Sequence, residues 1–142
     1  MQTSPSFSWP IQVYYEDTDA GGVVYHSKYL NFMERARTEW LRAMGYGQKH
    51  LADDSGLVFA VTAMDVKFLA PARLDDKLKV FVALVKTGRA SLVLAQKIER
   101  ESDGMLLISA TAKIAMLNDK FKPTRIPTTM LAVLNKQQMS NI

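Results

Sequence analysis

The chain contains no cysteine. Disulfides, thiolate metal sites and cysteine nucleophiles are therefore excluded. It has only two histidines, His26 and His50, and no cluster of carboxylates around either. Zinc or iron sites need tighter ligand spacing than this, so no metal is expected. No Gly-x-Ser-x-Gly elbow is present, which argues against a serine hydrolase. Gly-x-Gly-x-x-Gly and Gly-Lys-Ser/Thr fingerprints are also missing. Long apolar runs are absent: uncharged internal stretches such as Ser55 to Met64 are far too short for a membrane span. The first fifteen residues carry no charged side chain and include Pro5 and Pro10, unlike a secretory signal. A cytoplasmic location is expected.

What the chain does have is 142 residues, 48% of them apolar, enough for one domain over 1–142 with a sizeable core. Its net charge of +4 is unevenly spread. Residues 1–60 hold 5 basic and 7 acidic side chains, whereas residues 61–142 hold 13 and 7. Lysines guarding sheet edges would account for the basic half. So would a surface that attracts ligand phosphates. Nucleic acid is not expected as a partner, because no basic cluster is interleaved with stacking aromatics.

Trp9 to Tyr15 reads as a first strand and Glu16 to Val24 as a loop, marked by Gly21-Gly22. Ser27 is placed to cap a helix running to Met44, with Gly45 as its stop. Tyr29, Leu30, Met33, Ala36, Trp40, Leu41 and Met44 form its apolar stripe. After a short helical turn over Gly47 to Asp54, the period changes to two. Met64 to Phe68 alternates as a strand with one buried face. Val80 to Val85 is continuously apolar, as in a strand covered on both faces. Lys86 to Ala90 connects it in a hairpin to a strand over Ser91 to Arg100. Ser102-Asp103-Gly104 turns into a last alternating strand, Leu106 to Met116. Pro123 and Pro127 break the pattern before a terminal helix over Thr128 to Gln138. One long helix covers only one face of such a sheet, so self-association is expected.

Reactive groups concentrate between Tyr15 and His26, where Glu16, Asp17, Asp19, the glycine pair and the histidine join a strand to a helix. A helix start presents unpaired backbone N–H groups. Such donors polarise a carbonyl, and an adjacent carboxylate can attack it or activate water, which is acyl-transfer chemistry. On this local chemistry alone, Asp19 could equally cap a turn through its own backbone.

These residues resemble the hotdog-fold acyl-CoA thioesterases of the 4-hydroxybenzoyl-CoA thioesterase type. The similarity is greatest to the small bacterial branch encoded with the Tol–Pal envelope system. The elements that match are Tyr14 to Asp19, Gly22 to His26, Tyr29, Glu34 to Arg37, Phe68 to Asp76 and Ala90 to Val93. The resemblance thins after Phe121. It implies an α+β hotdog fold, an antiparallel sheet of about five strands wrapped around one long helix. It also implies dimers joined edge to edge, paired into a tetramer, with active sites at the dimer interface. No cofactor is implied, since coenzyme A is part of the substrate.

By this resemblance Asp19 is the catalytic carboxylate, as nucleophile or general base, and Asp17 shapes the loop. His26 offers its backbone N–H to the thioester oxygen, and its imidazole could orient Asp19 or protonate the leaving thiolate. The 4-hydroxybenzoyl branch has tyrosine there. Tyr15 could donate a hydrogen bond to the carboxylate or simply pack on the sheet. Gly22, Val23 and Val24 are expected against the substrate, with Gly21 and Gly22 permitting close approach. Lys86, Arg89, Lys120, Lys122 and Arg125 are candidates for the coenzyme A phosphates. Acyl carrier protein is an alternative acyl donor. Two rival readings are a hotdog dehydratase and a non-catalytic acyl-thioester binding module.

Overall fold

The structure is a computed structural model, and it describes residues 7–137. Strand β1 (Phe7–Gln12) leads through a short 3-10 turn (Tyr15–Asp17) to helix α1 (His26–Ala43) and helix α2 (Gln48–Ser55). Strands β2 (Val58–Phe68), β3 (Lys77–Thr87), β4 (Ser91–Arg100) and β5 (Leu106–Leu117) follow, then helix α3 (Thr128–Gln137). The five strands form one sheet in the order β1-β3-β4-β5-β2, every neighbour antiparallel. This is the α+β hotdog arrangement that the resemblance implies.

Helix α1 forms because its buried residues Tyr29, Phe32, Met33, Ala36, Arg37, Trp40 and Leu41 recur every three or four positions. Gly45 ends it at φ +92°, donating its N–H to Arg42 O at 3.0 Å. Ser27 is not its cap. Tyr25 holds that position without a side-chain bond, which makes His26 the first helical residue. Truncating the fully buried Phe32 or Met33 to alanine would cost about 2–5 kcal/mol each.

The sheet's inward face, carried by Leu78, Val80, Val82 and Leu84 of β3 and Leu92, Leu94 and Ile98 of β4, is buried beneath α1. Phe81 and Ala83 on the other face are half-buried and Val85 is exposed. Within one chain, then, β3 is covered on one face only; the cover expected for its other face falls to self-association. Strand β1 stops at Gln12 rather than Tyr15, because the chain turns there: Asp17 accepts the Tyr14 N–H at 2.9 Å. Strand β2 begins at Val58, earlier than the alternation suggested, and carries a bulge between Val61 and Ala63. The expected end of the last helix, Gln138, lies outside the described residues.

Helix α1 packs chiefly on β3 and β1, and α3 packs on β3. The inward side of β2 is left half-open: Phe59, Met64 and Val66 are half-buried, while Val61 and Phe68 are exposed. β2 also lies at the sheet's edge, with no strand beyond it among the described residues. No described helix is long and apolar enough to cross a membrane.

Candidate active site

The loop between β1 and α1 is held by its own backbone and by the β2–β3 connection. Asp17 is buried; besides capping Tyr14, it accepts the Tyr25 N–H through its carbonyl at 2.9 Å. Val24 donates to Ala72 O at 2.9 Å, and Val23 bridges to Arg73. The phenol oxygen of Tyr29, buried on α1, accepts the Ala72 N–H at 2.9 Å. Burial is the main cause that lifts the Tyr29 pKa above its ordinary value, so this phenol stays neutral.

Within this frame Asp19 is exposed, and its turn is tight. Its N–H donates to Val23 O at 2.9 Å, and its own carbonyl accepts the Gly22 N–H at 3.1 Å. One carboxylate oxygen, Oδ1, accepts the Gly21 N–H at 2.7 Å. The turn-capping role of an Asp before Gly is thus realised. The second oxygen, Oδ2, has no hydrogen bond among the described residues. Gly22 sits at φ +81°, a backbone shape that side-chain-bearing residues rarely take.

Of the residues expected against the substrate, two have their backbone N–H already used. The Gly22 N–H belongs to the Asp19 turn and the Val24 N–H to Ala72. The first residue of a helix has no intrahelical acceptor, so the His26 N–H remains open, at the positive end of an 18-residue helix. Val24 contributes a buried side chain instead.

A cavity of about 320 Å³ opens beside this helix start, lined by Val24, His26, Tyr29, Phe68, Leu69 and Pro71 among others. The His26 ring lies 4.4 Å from that of Tyr25 and meets Phe68 edge-on at 6.4 Å, between centroids. No hydrogen bond joins His26 to Asp19 among the described residues. Tyr15 does not reach Asp19 either: it is 82% exposed, and its phenol makes no hydrogen bond among the described residues. The expected Tyr15 contact is therefore absent within one chain, because the 3-10 turn directs the ring to solvent.

The basic candidates are elsewhere. Lys86 and Arg89 lie where β3 ends and β4 begins, and Lys120, Lys122 and Arg125 follow β5. Asn118 folds that last segment by accepting the N–H groups of Lys120 and Lys122 at 2.9 and 3.1 Å. Ile126 donates to Arg89 O at 2.8 Å, which joins the two loops into one exposed rim. β3 runs 11 residues from the Asp19 end to this rim, about 35 Å. One chain does not bring the rim and Asp19 together. Among the described residues, no three His, Asp or Glu side chains are grouped to hold a metal.

Comparisons with known proteins bear on the family and the fold. The model of the thioesterase-like superfamily matches residues 13–134. The chain belongs to this superfamily. Among thioesterase-like relatives, the acyl-CoA thioesterase YbgC of Haemophilus influenzae is 40% identical over 130 residues, 91% of this chain and 94% of that protein. The acyl-CoA thioester hydrolase YbgC of Escherichia coli O157:H7 is 41% identical, covering 89% of this chain and 93% of its own length. A probable thioesterase from Bartonella henselae has the same fold, with a TM-score of 0.82 and 34% identity over 87% of this chain and all of its own.

Two residues to which the sequence assigned no role at the site belong to this description. Tyr29 pins the cavity wall to α1. Arg37 is buried at 8% exposure and lines a separate cavity between α1 and β2, with Trp40, Phe59 and Val61. The sequence did carry a signal for Arg37: it falls one residue after Ala36 and four after Met33, on the apolar stripe, where a charge is out of place.

Proposed function

We propose that this chain hydrolyses acyl-CoA thioesters to a free acid and coenzyme A, with Asp19 as the catalytic carboxylate. The observation that carries this reading is the unpaired Oδ2 of Asp19, in the loop that leads seven residues later into a helix start whose first N–H is free and whose His26 lines an apolar cavity; Asp19 itself does not line that cavity. The sequence likeness to curated acyl-CoA thioesterases over most of both chains supports it.

In this mechanism the acyl group enters the cavity and the thioester oxygen accepts the His26 N–H. Negative charge builds on that oxygen as the carbonyl is attacked, and the helix terminus stabilises it more than the neutral carbonyl. By one route Asp19 attacks the carbonyl carbon and expels the thiolate, and water then cleaves the mixed anhydride. By the other, Asp19 takes a proton from water as the hydroxide adds; the tetrahedral intermediate then expels the thiolate. Either way the C–S bond breaks, a C–O bond forms and the thiolate is protonated, with His26 placed to give that proton. Gly21 and Gly22 keep the loop close-fitting there; a Cβ on Gly21 would come within 3.2 Å of Asp19 Oδ1.

The same proposal includes assembly in the cytoplasm. Two copies joined along β2, about a two-fold axis, continue the sheet and cover Val61, Phe68 and Leu69, which are 44%, 53% and 54% exposed. Antiparallel pairing sets the Val58 end of one β2 beside the Phe68 end of the other. That places the basic rim of one copy, with Lys86, Arg89, Lys122 and Arg125, near the Asp19 loop of its mate. The rim would there bind the coenzyme A phosphates. Two such dimers would form the tetramer, and acyl carrier protein remains an alternative donor.

The test is free-thiol release from a panel of acyl-CoAs, wild type beside Asp19→Asn. Release by wild type and its loss in the variant supports both reaction and residue. Equal release discards Asp19, and no release from any substrate discards the hydrolase.

A further inference from the structure

The trough between α1 and β2 holds a second cavity, of about 310 Å³, under the C-terminal half of α1. Its walls are mostly apolar, with Trp40, Phe59, Val61, Leu92, Leu94 and Ile114 among them. Its polar lining is Arg37, Glu34 and Gln48; Glu34 is exposed and held by Thr38, whereas the Arg37 cation is almost wholly buried. A buried charge in apolar surroundings is costly unless partnered.

The partners of Arg37 are few. Its Nη1 donates to Gln96 Oε1 at 2.8 Å, and Gln96 Nε2 in turn donates to Met33 O at 3.1 Å. Gln96 is itself 3% exposed. No ion pair among the described residues involves Arg37. Glu34, one turn earlier, is exposed, and its Oε2 accepts the Thr38 hydroxyl at 2.6 Å. Burial draws the Arg37 pKa below its ordinary value, a direction that Glu34 only opposes. A guanidinium has five N–H donors in a planar fork. One is spent on Gln96, which also fixes the orientation; among the described residues no other acceptor meets the fork, and since no fully buried side-chain nitrogen lacks a partner, its remaining N–H groups open to the cavity.

We infer that the cavity over Arg37 is an acyl-terminus site, taking thioesters whose acyl group ends in a carboxylate. Apolar walls suit the methylene chain, and the guanidinium suits the terminal carboxylate, which forms two parallel charge-assisted bonds with it. Distance permits this. Arg37 lies eleven residues along α1 from His26, about 16 Å, and the β2 pairing proposed above would set the cavity of one copy beside the catalytic cavity of the other. The inference rests on the thioesterase reading above for its occupant, but the anion site itself does not.

The experiment compares ω-carboxyacyl-CoAs with plain acyl-CoAs of equal length, from four to twelve carbons, on wild type, Arg37→Met and Arg37→Lys. At the length that spans the trough, wild type should favour the ω-carboxyacyl member in kcat/KM by at least about tenfold. Arg37→Met should abolish that preference while plain acyl-CoAs keep their rates within about threefold, and Arg37→Lys should retain part of it. Arg37→Gln, which keeps a polar side chain and removes the charge, should also lose it and serves if Arg37→Met does not fold. An equal fall for both series in Arg37→Met, or no preference in wild type at any length, overturns the inference. A second readout needs no turnover: suberate should raise the unfolding temperature of wild type more than octanoate does, and not that of Arg37→Met. A suberate shift in a protein that hydrolyses nothing would keep the anion site and discard the thioesterase reading; no such shift would count against the site.

Discussion

The Asp19 carboxylate accepts the Gly21 N–H at 2.7 Å through Oδ1, which leaves Oδ2 as the oxygen free to react. Asp19→Asn preserves the turn-capping oxygen and removes the negative charge. Turnover should drop by at least ~100-fold, with the unfolding temperature little changed. Steady-state thiol release and a thermal melt on the same sample check both parts, and unimpaired turnover would refute the assignment.

Gly22 holds φ +81° with open space where a Cβ would point. Gly22→Ala should therefore cost about 1–2 kcal/mol through backbone strain, not collision. Denaturant unfolding measures the loss. Because the same residue closes the Asp19 turn, kcat should fall along with stability.

Tyr29 should make stability sensitive to alkaline pH. Its folded pKa is raised, chiefly by burial, so the neutral phenol is favoured in the folded state. Its contribution is complete below the unfolded value of about 10 and is lost as pH rises through the folded one. Tyr29→Phe should flatten that alkaline limb. It should also cost about 1–3 kcal/mol at neutral pH, since the buried Ala72 N–H loses its acceptor. Urea midpoints at pH 7 and near 10.5 test both; an unchanged alkaline slope would refute the titration.

Charge on the basic rim should matter to the nucleotide end of the substrate alone. Lys122→Glu with Arg125→Glu should raise KM for acyl-CoA several-fold, more strongly at low salt, and leave KM for the matching acyl-pantetheine unchanged. Equal effects on both substrates would remove the rim from the site. Sedimentation belongs with this test, since the rim serves Asp19 only across a pair of copies: a monomeric mass at micromolar concentration rejects the arrangement.

Much of this could be read from residue order because it is local. The stripe through Met33, Ala36, Trp40 and Leu41 specifies α1 by its period alone. Gly45 stops the helix, and Asp103-Gly104 turns the chain, with Gly104 at φ +71°. Asp19, Gly22 and His26 also fall in one loop, so their nearness needs no tertiary information. The apolar run Val80 to Val85 marks two faces to be covered, but composition does not say which is covered by the same chain and which is left for another.

The sequence by itself determined the helix, the hairpins and the reactive loop, since each follows from contacts between residues a few positions apart. Tertiary structure alone decided which donors remain free. Val24 is spent on Ala72, 48 residues later, whereas the His26 N–H, at the helix start, is left open. It also decided that the basic rim lies a full strand length from Asp19, and that Arg37 meets Gln96 across 59 residues rather than facing water. Those outcomes depend on strand order and on where α1 crosses the sheet, and no local period encodes either.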